Sequence, residues 1–186
     1  MNLGETYVLD GIDRQLLKEL QRDSKRSLKE IGVSVGLSAP SVMERVRKLE
    51  SAGVIRGYPA LLDARKVGLD IAAFIGVSIA TPSHLSAFER WVESVPHVLE
   101  CHHVTGGHTL LLKVKTKNTE DLEGLISRIR SMEGVAGTET MVVLSTHTER
   151  VEVALPAGEP ASEPRRRKRP RRKGDSPQSG NPLNPS

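Results

Sequence analysis

The chain has 186 residues, with 27 lysines and arginines against 23 aspartates and glutamates, 37% hydrophobic residues, 3% aromatic residues and one cysteine, Cys101. That length suits two modest cores, and a lone cysteine excludes an intrachain disulfide framework and points to a reducing compartment. No apolar run is long enough to span a membrane and residues 1–13 contain no signal-peptide core, so a soluble, cytoplasmic protein without a membrane partner is expected.

In chain order, Ile12, Leu16, Leu17 and Leu20 form one apolar stripe and predict a helix over about residues 10–23. Leu28, Ile31 and Val35 predict a second, over about residues 27–36, which Gly36 ends. Ser38 then stands where an N-cap belongs, and Pro40 falls in the first turn, where its missing N–H costs little. A third helix therefore starts near Ala39 and buries Val42, Val46 and Leu49, leaving Pro40, Ser41, Glu44, Arg47 and Lys48 on its free face. Short side chains followed by cations are what a recognition helix needs, because its N-terminal residues approach base edges while the longer ones reach phosphates. Ser38, Pro40, Ser41 and Glu44 are placed nearest the bases, and Arg45, Arg47 and Lys48 nearest phosphates or partner carboxylates. Arg45 lies beside the core stripe, a position that also suits an internal ion pair with an acid such as Glu30. After Gly53, residues 54–58 read as an extended strand leaving the bundle.

Past Tyr58 the pattern alternates. Residues 71–80 read as a strand, and Leu85, Phe88, Val92 and Val95 as a helix that begins near Pro82 and ends at Pro96. Residues 98–104 and 110–114 are two strands about the Gly106-Gly107 turn. Thr119 caps a helix carrying Leu122, Leu125, Ile126, Ile129 and Met132, and residues 135–145 form a last strand. The order βαββαβ is the ferredoxin-like arrangement, two helices on one face of a four-stranded sheet. Val77, Leu111 and Val143 are expected on the other face, where they would form an exposed apolar patch in a monomer, so at least a homodimer is expected.

Leu37-Ser38 followed by Val42, Arg45-Val46, Leu49-Glu50 and Gly53-Val54-Ile55, ending in Gly57-Tyr58, resembles the winged helix-turn-helix signature of the leucine-responsive and asparagine-regulator (Lrp/AsnC) family of prokaryotic transcription regulators. Leu9-Asp10 and Asp13 resemble that family's opening, and the likeness extends over about residues 9–153. It implies an α+β chain. Residues 1–53 would form a helix-turn-helix DNA-binding domain, 54–66 a linking strand or hinge, 67–154 a ferredoxin-like effector-binding and dimerisation domain, and 155–186 a disordered basic tail. It also implies a sequence-specific regulator on double-stranded DNA, associated with the nucleoid, its dimers open to further assembly into octamers. In that family the glycine turn holds a small effector at the subunit interface, which here corresponds to Thr105, Gly106, Gly107, His108 and Thr109, with Thr138 and Thr140 as neighbours. Thr109 stands where an aspartate is usual, and an ammonium group leaving water needs such an acceptor, so a related carboxylate competes with an amino acid as the expected effector.

Cys101, His102, His103 and His108 invite a metal, but strand alternation puts Cys101 and His103 on one side and His102 on the other, so no metal or other cofactor is expected; His103 and His108 could meet across the hairpin. Siroheme decarboxylases resemble the same family in both domains and use histidines at the subunit cleft, which makes an enzyme of tetrapyrrole metabolism the main alternative. A chromosome-architectural protein is the second. No Ser-His-Asp order, Walker loop or paired-carboxylate motif suggests any other enzyme, and a non-enzymatic role is expected.

The net charge of +4 hides a partition. Residues 1–156 hold 19 basic and 20 acidic residues, whereas the remainder carries Arg165, Arg166, Arg167, Lys168, Arg169, Arg171, Arg172 and Lys173 beside Glu159, Glu163 and Asp175. Proline, glycine, serine and charge replace apolar periodicity there, so the segment is expected to be disordered and to act as a DNA-binding arm.

Overall fold

A computed structural model describes residues 7–157. They fall into two compact units: residues up to Ile55 together with those from Ala154 on, and Arg56–Val153.

The first unit is helical. α1 (Gly11–Arg22) is opened by a capping box in which the Asp13 amide donates to the Asp10 carboxylate at 2.7 Å and the Asp10 amide donates back to Asp13 at 3.2 Å. α2 (Leu28–Val35) has the same device in Ser27 and Glu30 and ends at Gly36 in the left-handed region. α3 (Ala39–Ser51) is capped by Ser38, with Pro40 in its first turn. The expected stripes meet as a core of Leu16, Leu17, Ile31, Val35, Val42 and Leu49. The turn between α2 and α3 depends on Gly32, whose carbonyl oxygen accepts from the Leu37 amide at 2.9 Å. A Cβ at Gly32 would lie 2.5 Å from the Leu37 carbonyl oxygen, so the two segments approach this closely only because no side chain intervenes.

Residues 54–58 do not form the expected strand, and no wing follows α3 before β1. The amides of Val54 and Ile55 both donate to the Leu49 carbonyl, at 2.9 and 3.2 Å, which folds these two residues back onto the helical core. An extended segment with no ladder partner gains less than one that closes a helix end and buries two β-branched side chains.

The second unit contains β1 (Ile71–Ile79), α4 (Leu85–Glu93), β2 (Val98–His103), β3 (Leu110–Thr116), α5 (Thr119–Arg130) and β4 (Val135–Val142), in the expected βαββαβ order. The strands pair antiparallel in the order β2-β3-β1-β4. Short 3-10 turns at Arg65–Val67 and Pro82–His84 precede β1 and α4. The cap of α5 is Asn118, whose side chain accepts from the Asp121 amide at 2.8 Å, so Thr119 is the first helical residue and not the cap. β4 ends at Val142, short of the expected Ser145.

Register decides which residues share a face. Ala73, Ile75 and Val77 lie opposite Val114, Leu112 and Leu110, and all six are buried with Phe88, Val92, Leu122, Leu125 and Ile129 beneath the helices. Val77 therefore belongs to the core, contrary to expectation: it is fully buried, because odd-numbered residues of β1 face the helices. The open face carries Phe74, Leu111, Met141 and Val143, the first two half-buried even so.

Candidate nucleic-acid interface and effector turn

The free face of α3 is as the stripe predicts. Ser38, Pro40, Glu44, Arg47 and Lys48 are exposed and Ser41 is half-buried. The Ser38 and Ser41 hydroxyls lie 2.9 Å apart at the helix start, and the Ser41 amide donates to Ser38. Lys48 pairs with Glu44 one turn back, at 2.8 Å, on a strongly exposed surface. The ammonium of Lys48 holds the Glu44 carboxyl below its ordinary value, and Glu44 in turn raises Lys48. Such a pair contributes at most about 0.5 kcal/mol, so either member can be exchanged for a phosphate or a base edge at little cost. Arg47 forms no ion pair among the described residues. Sequence reasoning missed Met43, which is 38% exposed on the face of α3 next to Arg47; its polarizable thioether suits contact with a thymine methyl.

Arg45 has a different role. Its guanidinium bonds Asp10 and Asp13 at 2.7 Å each, tying α3 to the start of α1. The internal ion pair expected of Arg45 exists, with Asp10 and Asp13 as its acids in place of Glu30, which caps α2 instead. The backbone amide of Asp13 and then Arg45 hold the Asp10 carboxyl below its ordinary value, and the two aspartates raise Arg45. Arg45 is thereby occupied in orienting the recognition helix. The eight cations between Arg165 and Lys173 lie outside the described residues.

In the second unit, Thr105, Gly106 and Gly107 expose their backbone at the tip between β2 and β3. Just behind them the His108 ring lies flat against Gly76, where a Cβ would come within 2.4 Å of it. Its Nδ1 is 3.2 Å from the Ser78 hydroxyl and its Nε2 2.9 Å from a Glu139 carboxylate oxygen, while Ser78 also reaches the Gly107 carbonyl at 3.3 Å. One imidazole thus joins β1, β4 and the turn. Thr109 is turned inward: its amide donates to Val77 O at 2.9 Å and its hydroxyl accepts from the Ile79 amide at 3.1 Å, at the irregular end of β1.

Thr138 and Thr140 do not join this group. They lie opposite Val77 and Ile75, on the helix-covered face, where Thr138 accepts from Arg130 at 2.8 Å and the Thr140 hydroxyl is buried with no partner among the described residues. The residues that do meet the turn are Gly76, Ser78 and Glu139, one register step away on each strand. His103 bonds Glu89 of α4 at 2.5 Å, on the opposite face from His108, so the two histidines do not meet across the hairpin. Partial desolvation, and then Glu89, raise the Cys101 thiol, which disfavours the thiolate a metal would require. Among the described residues no three histidine, cysteine or acidic side chains are placed to hold a metal ion.

Further along the open face is a cavity of about 450 Å³, lined by Leu62, Asp70, Phe74, Lys113, Lys115 and Glu149 among others. Lys113 bonds Glu149 at 2.9 Å and Glu100 at 3.2 Å, and Lys115 lies 3.6 Å from Glu149. Glu149 raises Lys113 above its ordinary value and is itself lowered by it. The alternation of Lys113 and Lys115 on β3 was a visible signal for this patch; the acid that answers them comes from an irregular segment that no periodicity marks. No helix among the described residues is long and apolar enough to cross a membrane.

Comparison with known proteins gives concordant results for both units. Residues 9–50 match the AsnC-type helix-turn-helix domain, and residues 72–153 the Lrp/AsnC ligand binding domain. The chain is 36% identical over 147 residues to the HTH-type transcriptional regulator FL11 of Pyrococcus horikoshii, covering 79% of this chain and 97% of that protein. Among solved structures it is similar to a transcriptional regulator from Neisseria meningitidis in complex with L-Met, with a TM-score of 0.75 at 29% identity over 79% of this chain and 97% of the other. It is also similar to the feast or famine regulatory protein from Mycobacterium tuberculosis complexed with L-methionine, with a TM-score of 0.74 at 34% identity over 78% and 99%.

Proposed function

The chain belongs to the Lrp/AsnC family of transcriptional regulators, and from that membership we propose that it binds specific double-stranded DNA sites as a homodimer or larger assembly and answers to a small carboxylate-bearing metabolite. The observation that carries the proposal is the free face of α3. Small polar residues stand at its N-terminus, Arg47 is uncommitted further along, and Arg45 braces the helix from behind instead of competing for phosphate.

Assembly is supported by the open sheet face, where Phe74, Leu111, Met141 and Val143 surround charges that are already paired with one another. A second copy covering that face would bury the apolar positions without stranding a lysine, and its two-fold symmetry would set two recognition helices on successive major grooves. The effector reading is supported by the exposed amides of Gly106 and Gly107, which suit a carboxylate. The relatives named above were solved with methionine. Here Thr109 is turned inward and uncharged, and the carboxylate that reaches the turn, through His108, is Glu139. Glu139 is the group that would meet an ammonium.

Genome-wide mapping of bound sites, followed by gel-shift titration with and without L-methionine and the corresponding 2-oxo acid, tests the whole reading. A small set of strong sites whose affinity shifts with one of the two ligands supports it. Uniform weak coverage of the chromosome would favour an architectural protein. Glu139→Gln should abolish the response to the amino acid and spare that to the oxo acid.

A further inference from the structure

The chain passes between its two units twice, and the second passage has a defined landing. After Val153 it returns to the helical unit. Leu155 is the only residue from Val151 to Ala157 that is not exposed, and it packs against the cluster that includes Leu9, Ile12 and Leu20. The next residue is fixed as well: the Arg14 guanidinium donates through Nε to the Pro156 carbonyl at 3.1 Å. Arg14 belongs to α1, the helix that Arg45 joins to α3 through Asp10 and Asp13. The chain beyond Pro156 is thus rooted on the element that positions the recognition helix.

That stretch holds the cationic segment. Arg165 lies eight residues past Ala157, so its distance from the root is at most about 28 Å of extended chain, or about 8 base pairs of B-DNA. Residues 1–156 carry 20 acidic and 19 basic side chains, and no field of the folded body draws the protein to a polyanion. We propose that Leu155 and Pro156 anchor the C-terminal extension to the DNA-binding unit, and that the cluster from Arg165 to Lys173 is a second phosphate-binding element acting on the duplex beside the α3 site. It reads no bases. Arginine and lysine interrupted by Pro170 form a flexible match to any phosphate track, and each phosphate neutralised releases a counterion. This inference rests on the DNA-binding reading above, and its tests separate the two.

The measurement is fluorescence anisotropy of the full-length protein on a 30-base-pair duplex of random sequence, across a salt series. In the first variant all eight cations from Arg165 to Lys173 are replaced by glutamine. The expected result is a plot of log affinity against log salt that is shallower by about 3 or more, and binding at 50 mM salt that is at least about 30-fold weaker, with circular dichroism and assembly mass unchanged. An unchanged slope overturns the phosphate-binding element. In the second, Leu155→Asp keeps every cation but releases the root; affinity should fall several-fold at an unchanged slope, because the effective concentration of the arm at the flanking duplex drops. Leu155→Ala, which removes less and keeps the unit folded, should lie between. Wild-type affinity in both Leu155 variants would overturn the anchor. If instead the wild-type protein binds no duplex at any salt, the regulator reading fails and not this one, whereas strong wild-type binding with a glutamine variant of equal slope condemns only the arm.

Discussion

The two working surfaces are built on opposite plans. On α3 the functional side chains are held apart from the body: Arg47 has no ion-pair partner among the described residues, and Lys48 and Glu44 hold only each other. At the glycine turn the functional side chain is engaged at both ring nitrogens, His108 with Ser78 and with Glu139, and its ring fills a place that Gly76 leaves open. A surface that must meet a long, uniform polyanion gains from side chains already free to reach it, since no internal bond has to break. A site that must distinguish one small molecule from another gains from groups fixed beforehand, because rigid placement turns a misfit into lost hydrogen bonds.

That contrast can be broken from either side. The largest effect is expected at Gly32→Ala, whose new Cβ would meet a backbone carbonyl that cannot move away. Thermal or urea unfolding should show a loss of about 2 kcal/mol net of the improved helix propensity, confined to the helical unit, and DNA affinity should fall with it. Gly76→Ala ranks next, at about 1 to 2 kcal/mol, because the obstacle is the His108 ring, which can swing aside. The ligand-induced change in operator affinity should vanish there while binding without ligand persists. If it survives, the His108 arrangement is incidental to sensing. Arg47→Ala should weaken operator binding about tenfold and lower the salt slope by about one, with no change in melting temperature. An equal slope would remove Arg47 from the phosphate contacts.

The smallest effect concerns acid. The Asp10 carboxyl is lowered in the folded chain by the Asp13 amide and by Arg45, so its contribution is complete above the ordinary aspartate value of about 3.9 and is lost as pH falls through the lower folded value. Asp10 is half exposed, which limits that contribution to about 1 kcal/mol. Urea midpoints of wild type and Asp10→Asn should differ at pH 7 and converge below about pH 3. Curves that stay parallel down to pH 2 would show that the Arg45 link adds nothing to stability.

How much of each surface could be read beforehand depends on the same contrast. The α3 face is a matter of 3.6-residue periodicity and a cap, both local, so Ser38, Pro40, Glu44, Arg47 and Lys48 were visible in the bare sequence. Met43 escaped because an exposed apolar residue carries no local mark. The βαββαβ order was equally legible from alternating stripes. The surroundings of the turn were not, because they depend on which strand neighbours which and in what register. The sheet order β2-β3-β1-β4 places Gly76 and Ser78 beside His108, and a single register step exchanges Glu139 for Thr138 or Thr140. Val77 went astray for the same reason. The strand expected at residues 54–58 failed differently: β-branched residues favour extension, but Val54 and Ile55 had a hydrophobic core within reach and a free helix-end carbonyl at Leu49.

The seat of Leu155 in the helical core also has a consequence for biosynthesis. The three helices are among the first residues to leave the ribosome, but a side chain that packs against them is made only after the entire four-stranded sheet has been translated. The nascent DNA-binding unit therefore emerges with one apolar place unfilled, and its last contact is added when chain synthesis is nearly complete. A fragment ending at residue 60 should fold but melt below the same helices in the intact chain, and the gap should close when a peptide spanning residues 150–157 is supplied in excess.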